Sequence, residues 1–328
     1  MTMSQVIEEP CEVKVSCTVL KTSGTGDSLT EFNCVRVVWN EALAISKSEK
    51  YPGYNTLSKS LTLSKKTEER AWFNDVSSVP LQQSLKQLEV AYKNYFDSLK
   101  GKRKGKKLGQ PRFKKKTNSQ SGTFATSGFS IKGESVYLAK IGNINPIWSI
   151  KLPSEPSSVT AIKDCANRYF LSFVVEVNPV KIDAKNKSIG IDLGIKTFAV
   201  RSNGEKAESP DYNVLDQKIR KLQKKLARQP NDSKRRNKTR IKIAKLHNKI
   251  ADTRKDFLHK LSTKILSKNQ VIVLENLNVS AMLKNRKFAR VISQQGWREF
   301  RVLCEAKSEK FSREFRVIPF CQISATMS

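Results

Sequence analysis

The sequence predicts a mixed protein of the α+β or α/β class that is built from two parts. Short apolar segments of period two, which indicate strands, occur near the N-terminus and again over residues 122–177. Apolar residues at helical spacing indicate helices between them. Beyond a polar stretch at residues 179–187, strands alternate with long helices, as a mixed sheet with covering helices requires. The length of 328 residues suits two domains of roughly 100–200 residues each.

The first part is predicted to begin with a strand and to continue as helices. Residues 12–20 alternate apolar and polar side chains, which indicates a strand. Apolar residues recur at helical spacing over residues 32–45 and again over residues 81–99, where Pro80 lies in the tolerant first turn. The predicted organisation is a β-rich module over residues 1–31 and 101–178, a helical insertion over residues 32–100, and a linker over residues 179–187.

The second part, residues 188–328, is predicted to be a mixed α/β domain. Its first strand, SIGIDL, precedes a tight turn at Gly194 and a second strand. A helical region over residues 214–268 follows, and the sequence QPND divides it into a hairpin. The strand VIVLE, a helix over residues 294–313 and a last strand, REFRVIPF, complete the series.

The charge balance points to a polyanionic partner. The chain has 61 Lys and Arg against 30 Asp and Glu, a formal net charge of +31, and such an excess repels itself unless an anion such as a nucleic acid is bound. Residues 100–116 hold ten basic residues and no acidic one, with glycines and a proline that oppose a helix. Residues 216–260 hold 17 basic residues against four acidic ones.

We expect both segments to contact backbone phosphates, although a charged run can also be only a solvated face or a solubilising loop. The candidate nucleic-acid-binding residues are Lys102, Arg103, Lys104, Lys106, Lys107, Arg112, Lys114, Lys115 and Lys116 in the loop, and Lys221, Lys224, Lys225, Arg235, Arg236, Lys238 and Arg240 in the hairpin.

Two carboxylates are candidates for catalysis because each terminates or interrupts an apolar strand. They are Asp192 in SIGIDL and Glu275 in VIVLE. A buried charge is costly unless it is paired or metal-bound, and phosphodiester hydrolysis by divalent ions needs oxygen ligands that converge from neighbouring strands. The alternative is that Asp192 caps a turn and Glu275 forms a structural ion pair.

Neither a membrane span nor a zinc site is expected. The first twenty residues lack a basic and an apolar region of the signal-peptide type, and no apolar stretch approaches 18 residues, so we expect a cytoplasmic protein. The six cysteines include no C-x-x-C pair, and only two histidines are present. We interpret most of the thiols as small apolar side chains.

Seven segments, in order over residues 32–318, resemble the TnpB/OrfB proteins of insertion sequences, which are relatives of type V CRISPR effectors. The segments are CVRVVWNEAL, VSSVPLQQSLKQLEVAYKNYF, GQPRFKKK, SIGIDLGIKTFAV, RKDFLHKLSTKI, VIVLENLNVSAMLKN and SQQGWREFRVLCEAKSEKF.

This resemblance implies a transposon-encoded, RNA-guided DNA endonuclease that depends on Mg²⁺. It implies an N-terminal β-barrel-like wedge module with a helical recognition insertion, followed by an RNase H-like RuvC domain. Asp192 matches the first RuvC carboxylate and Glu275 the second. The implied partners are a guide RNA from the transposon end and target DNA, read largely by base pairing, and the implied location is the nucleoid.

Members of this family continue into a zinc ribbon and a third RuvC motif that carries an Asp. After Glu314 the sequence has no acidic residue, and Cys321 has no second cysteine near it. We therefore expect a RuvC domain without its C-terminal part, no zinc, weakened Mg²⁺ binding and inefficient cleavage. The alternatives are a non-catalytic nucleic-acid-binding protein, either a guided repressor or a decaying transposase remnant, and a basic ribosome- or RNA-associated protein.

Overall fold

The computed structural model describes residues 11–15, 28–48, 50–103, 105–176 and 187–319. The chain divides into two compact units, Met1–Val177 and Asn178–Ser328, called here the N-terminal and C-terminal units. Several of the sequence-based predictions lie wholly or partly outside the described residues: residues 16–20 of the first predicted strand and most of the β-rich segment 1–31, Lys104, nearly all of the linker at 179–187, and the tail that contains Cys321. No helix of the described ranges is long and apolar enough to cross a membrane.

Three helices pack together in the N-terminal unit. They are α1 (Ser28–Ser48), α2 (Tyr54–Ser64) and α3 (Ser78–Leu99). The side chain of Ser77 caps α3 by accepting a hydrogen bond from the backbone N–H of Val79. The stripe predicted along α3 is buried as far as Tyr92, but Phe96 and Leu99 are exposed, because the helix continues past the core that its earlier turns fill.

The strands of the N-terminal unit form two antiparallel sheets. The four-stranded sheet has the order β1-β7-β6-β2, and the three-stranded sheet has the order β3-β4-β5. The strands are β1 (Cys11–Val15), β2 (Gln120–Ala125), β3 (Phe129–Lys132), β4 (Ser135–Leu138), β5 (Gly142–Ile144), β6 (Ser158–Lys163) and β7 (Tyr169–Val174).

The barrel-like arrangement expected for this unit is wrong for the residues that the structure describes, because their strands do not close. Val136 and Leu138 of β4 share a core with Phe124 of the larger sheet and with Phe32 of α1. The second sheet and the helix thus bury the apolar face of the first, so burial of that face does not require strand closure.

A five-stranded mixed sheet organises the C-terminal unit, in the order β10-β9-β8-β11-β12. Strands β8, β11 and β12 are mutually parallel, whereas β9 is antiparallel to β8, and β10 is antiparallel to β9. The strands are β8 (Ser188–Leu193), β9 (Ala199–Arg201), β10 (Lys206–Ala207), β11 (Val271–Glu275) and β12 (Glu314–Ile318).

Helices cover this sheet and complete its core. They are α4 (Asn213–Ala227), α5 (Lys234–Lys268), α6 (Val279–Met282), α7 (Ala289–Gln295) and α8 (Trp297–Lys310). Phe198 lies in the core, where its ring meets those of Phe257 and Phe300 edge-on, with centroids 5.1 and 5.4 Å away. The single helix predicted over residues 294–313 is divided at Gly296, whose left-handed φ of 76° ends α7 and begins α8.

Gly194 fixes the turn that follows β8, and this gives a first test of the fold. Its N–H donates to the carbonyl of Phe198, and an added Cβ would lie 2.8 Å from the carbonyl oxygen of Thr197.

We expect Gly194→Ala to destabilise the protein by about 1–3 kcal/mol, measured as a lower midpoint of thermal unfolding. Gly190→Ala, in the preceding strand β8, is the matched control because its Cβ meets nothing closer than 3.7 Å. Equal midpoints for the two variants would contradict this account of the turn.

Candidate functional site

Asp192 and Glu275 lie at the same end of two neighbouring parallel strands. Strand β8 pairs with β11 through Ile191 opposite Leu274, and each carboxylate is the next residue along its strand. Because parallel strands carry their carboxyl ends at one edge of the sheet, the register places both side chains at that edge. The structure therefore brings together the two carboxylates that the sequence analysis selected.

The two carboxyl groups are in direct contact. The carboxyl groups of Asp192 and Glu275 lie within hydrogen-bonding distance of each other, and Glu275 is only 5% exposed. Burial raises the pKa of Glu275, and the proximity and negative charge of Asp192 raise it further. The expectation that both carboxylates are buried in apolar strands is wrong for Asp192, which is exposed. The period of two explains this, because Ile191 and Leu193 point into the core and Asp192 points away.

The residues near Glu275 form a cavity of about 350 Å³ that sequence reasoning did not find. Asn276 follows Glu275 directly, and Arg301 of α8 donates a hydrogen bond to its side-chain oxygen over 2.9 Å. Arg298, one helical turn earlier, lines the same cavity. The only sequence signal was the spacing of Arg298 and Arg301, which places both on one face of α8. Two cations therefore line the same cavity as Glu275, where they could contact an anionic group.

The turn that follows Asp192 is held from the other side of the site by α7. Gln295, the last residue of α7, is buried and donates a hydrogen bond to the carbonyl of Ile195 over 3.2 Å. Asp216 of α4 accepts hydrogen bonds from Gln294 and Arg290 of α7, over 2.8 and 2.6 Å. These contacts connect the helical hairpin, through α7, to the turn that follows the strand of Asp192.

The carboxylate pair suits a divalent cation as two of its ligands, because Mg²⁺ and similar hard ions prefer carboxylate oxygens. Within the described ranges, no group of three or more His, Cys, Asp or Glu side chains comes close enough to hold a metal. Of the described thiols, those of Cys34 and Cys304 are buried, burial raises the pKa of each to about 12, and Cys165 is exposed. Such buried, protonated thiols pack as apolar groups.

The basic loop over residues 100–116 has no helix where it is described, as its glycines and proline predict. Its candidate side chains are exposed, apart from Lys114, which is half-buried. The ring of Phe113 is 49% exposed and lies 4.7 Å from the ammonium of Lys47 on α1. The loop therefore presents its cations outward while its backbone lies on α1.

The helical hairpin presents most of its candidate cations to solvent. Tyr212, Ile219 and Ile250 form the buried contact between α4 and α5. The exposed candidates are Lys221, Lys224, Lys225, Arg235, Lys238 and Arg240. Arg236 differs from them because its guanidinium donates hydrogen bonds to the carbonyls of Leu226 and Gln229, over 2.6 and 3.0 Å. These hydrogen bonds indicate that Arg236 stabilises the turn between the two helices.

Comparison with solved structures finds a chain in a cryo-EM structure described as the Cas12f1-sgRNA-target DNA complex. That chain is 14% identical in sequence, and the similarity covers 89% of the present chain and 72% of that chain with a TM-score of 0.46.

Two curated bacterial relatives carry the provisional name RNA-guided DNA endonuclease. The protein from Streptomyces pristinaespiralis is 38% identical over 297 residues, which cover 88% of the present chain and 72% of that protein. InsQ of Escherichia coli strain K12 is 31% identical over 270 residues, which cover 80% of the present chain and 64% of InsQ.

Residues 172–286 match the OrfB family of IS605 elements, described as "Probable transposase". This segment contains both Asp192 and Glu275. Together with the Streptomyces relative, the match confirms the resemblance that the sequence motifs indicated. The chain belongs to the TnpB/OrfB family of IS605-type transposases.

Proposed function

We propose that this protein is a transposon-encoded, RNA-guided DNA-binding protein whose C-terminal unit has the metal-binding pair of a nuclease. The observation that carries the proposal is the direct contact between Asp192 and Glu275 at the ends of parallel strands. The names of the relatives support the same function for this chain, although it spans only 72% and 64% of their lengths.

The proposed domains follow the family arrangement. Residues 1–31 and 101–178 form the wedge module and residues 32–100 the recognition insertion. Residues 179–187 link them to an RNase H-like, RuvC-type domain over residues 188–328. The mixed five-stranded sheet, with one carboxylate on each of two adjacent parallel strands, supports this assignment of the C-terminal domain.

Asp192 and Glu275 are the proposed ligands of Mg²⁺ in this domain. The ion would neutralise the charge that develops on a phosphodiester during hydrolysis. Glu275 would bind the cation in its ionised form, so protons and Mg²⁺ would compete for this side chain. Arg298 and Arg301 would hold the phosphate beside the pair, because they line the cavity next to Glu275.

We propose that the 328-residue chain binds nucleic acid well and cleaves it slowly. The described residues supply two carboxylates to the site, and a cluster of three metal-ligating side chains is absent from them. Two ligands bind divalent ions more weakly and with less fixed geometry than three. The same observation favours a second candidate function, that of a non-catalytic guided repressor.

The proposed partners are a guide RNA from the transposon end and a target DNA of the nucleoid. Exposed lysines and arginines of the basic loop and the hairpin would contact their phosphates, with sequence read by base pairing. The net charge of +31 supports a polyanionic partner.

RNA bound to the protein tests this function directly. The protein is expressed together with its flanking insertion-sequence DNA and purified, and the bound RNA is sequenced. We expect a dominant transcript from the transposon end and a strongly reduced yield from a variant with Lys221, Lys224 and Lys225 replaced by glutamine. A random sample of cellular RNA, bound equally well at matched salt, would instead indicate a general RNA-binding protein.

Cleavage of a matching target plasmid in Mg²⁺ tests the expected slow chemistry. We expect the wild-type protein to cleave the plasmid at a rate close to that of the Asp192→Asn variant. Rapid cutting that Asp192→Asn abolishes would contradict the slow-cleavage proposal.

Thermal unfolding with and without Mg²⁺ tests the metal pair. Bound metal stabilises the folded state by about 1.4 kcal/mol at ten times its Kd. We expect a higher midpoint with Mg²⁺ for the wild type and for the control Glu305→Gln, an exposed glutamate of α8, but not for Glu275→Gln. A full Mg²⁺ effect in Glu275→Gln would place the ion elsewhere.

The same measurement has a predicted pH dependence. Because the folded-state pKa of Glu275 is raised, its contribution to the stability of the metal-free protein falls as the pH rises through that pKa. The Mg²⁺ effect should grow over the same range, since the cation replaces the proton. A Mg²⁺ effect independent of pH in this range would contradict the raised pKa of Glu275.

A further inference from the structure

A small cationic cavity lies between α1 and the end of the basic loop. It has a volume of about 140 Å³, and none of the described residues that line it is acidic. Arg36, Lys114 and Lys115 supply positive charge to its wall, and Ser119 and Ser121 supply hydroxyl groups. The cavity is thus lined by hydrogen-bond donors that suit a compact anion.

Arg36 is held at this cavity without a counter-ion. Its Nε is buried and has no hydrogen-bond partner in the described part of the chain. A buried donor without an acceptor carries the full cost of its lost hydration, and the cost is greater for a charged group. Among the described residues no acceptor satisfies this group, so an anionic partner would do so.

Lys114 is a second partly buried cation on the same wall. Its ammonium lies 3.9 Å from the centre of the Trp39 ring, a favourable position for a cation. Burial lowers the pKa of Lys114 to about 8, with no contribution from a carboxylate. An anion in the cavity would therefore satisfy two partly desolvated cations at once.

The loop is fixed in the conformation that makes this cavity. Asn40 of α1 donates to the carbonyl of Lys114 over 3.0 Å and accepts from its N–H over 2.8 Å. Trp39 donates to the carbonyl of Arg112 over 3.0 Å. The side-chain amide of Gln120 donates to the carbonyl of Lys115 over 3.0 Å. Such preorganisation reduces the entropy lost on binding.

We propose that this cavity, the Arg36–Lys114 cavity, binds one phosphodiester group of a nucleic-acid backbone, held jointly by Arg36 and Lys114. The inference rests on the proposed function and adds to it a defined phosphate subsite with Arg36 as a specific ligand. The planar guanidinium of Arg36 can donate two parallel hydrogen bonds to phosphate oxygens, and the ammonium of Lys114 supplies a point charge.

The salt dependence of binding tests a shared phosphate. The affinities of the full chain for a single-stranded RNA and for a DNA duplex of equal length are measured by fluorescence anisotropy at several salt concentrations. The variants are Arg36→Gln, Lys114→Met and the double variant, and thermal unfolding confirms their folding. Lys132→Gln, an exposed lysine of β3 outside the cavity, removes the same charge and is the matched control.

Each single variant should reduce the steepness of the slope of log K against log salt by the amount that corresponds to roughly one phosphate contact. The double variant should reduce it by about one contact rather than two, because both cations hold the same phosphate. An effect on RNA alone or on DNA alone would identify the strand that supplies the phosphate. The proposal of a shared subsite would be overturned if the cavity variants had the same salt slope as Lys132→Gln. It would also be overturned if the double variant lost as much slope as the two single variants together.

A further variant with Lys221, Lys224 and Lys225 replaced by glutamine separates this failure from that of the proposed function. If that variant also binds like the wild type, the nucleic-acid function itself fails.

Discussion

The contact between Asp192 and Glu275 is the interaction on which the proposed chemistry depends. Two carboxylates in contact repel each other unless a proton or a cation lies between them. The fold imposes the contact, because β8 and β11 are parallel neighbours in register and the Gly194 turn begins directly beyond β8. Burial raises the pKa of Glu275 and the negative charge of Asp192 raises it further, so the pair is the proposed site of a divalent ion.

The cations of the chain have two structural roles. Most candidates in the basic loop and the hairpin are exposed and available to phosphates, whereas Arg236 is used to hold the hairpin turn. Arg36 and Lys114 fit neither role, since both are partly desolvated and, among the described residues, no carboxylate lines their cavity. A protein with a net charge of +31 can keep such groups in place if its working state includes bound nucleic acid.

The sequence predicted the elements better than the contacts between them. Periodicity located the strands that carry Asp192 and Glu275, and strand chemistry indicated that their ends would meet. It did not reveal the break at Gly296, because one glycine inside an apolar pattern does not specify a left-handed φ. Arg36 could not have been selected, since its cavity forms only when the loop folds back onto α1 and Lys114 meets Asn40, 74 residues away in the sequence. Sequence spacing likewise could not show that Arg298 and Arg301 share a cavity with Glu275.

A crystal of the 328-residue chain soaked in Mn²⁺ would test the central claim most directly, because anomalous scattering locates the ion without reference to activity. The account predicts an anomalous peak between the carboxylates of Asp192 and Glu275, with oxygen distances typical of a hard divalent ion. A crystal of Asp192→Asn grown in the same form should lose that peak. The absence of a peak there in the wild type, together with strong Mn²⁺ peaks elsewhere, would contradict the claim that this pair is a metal site.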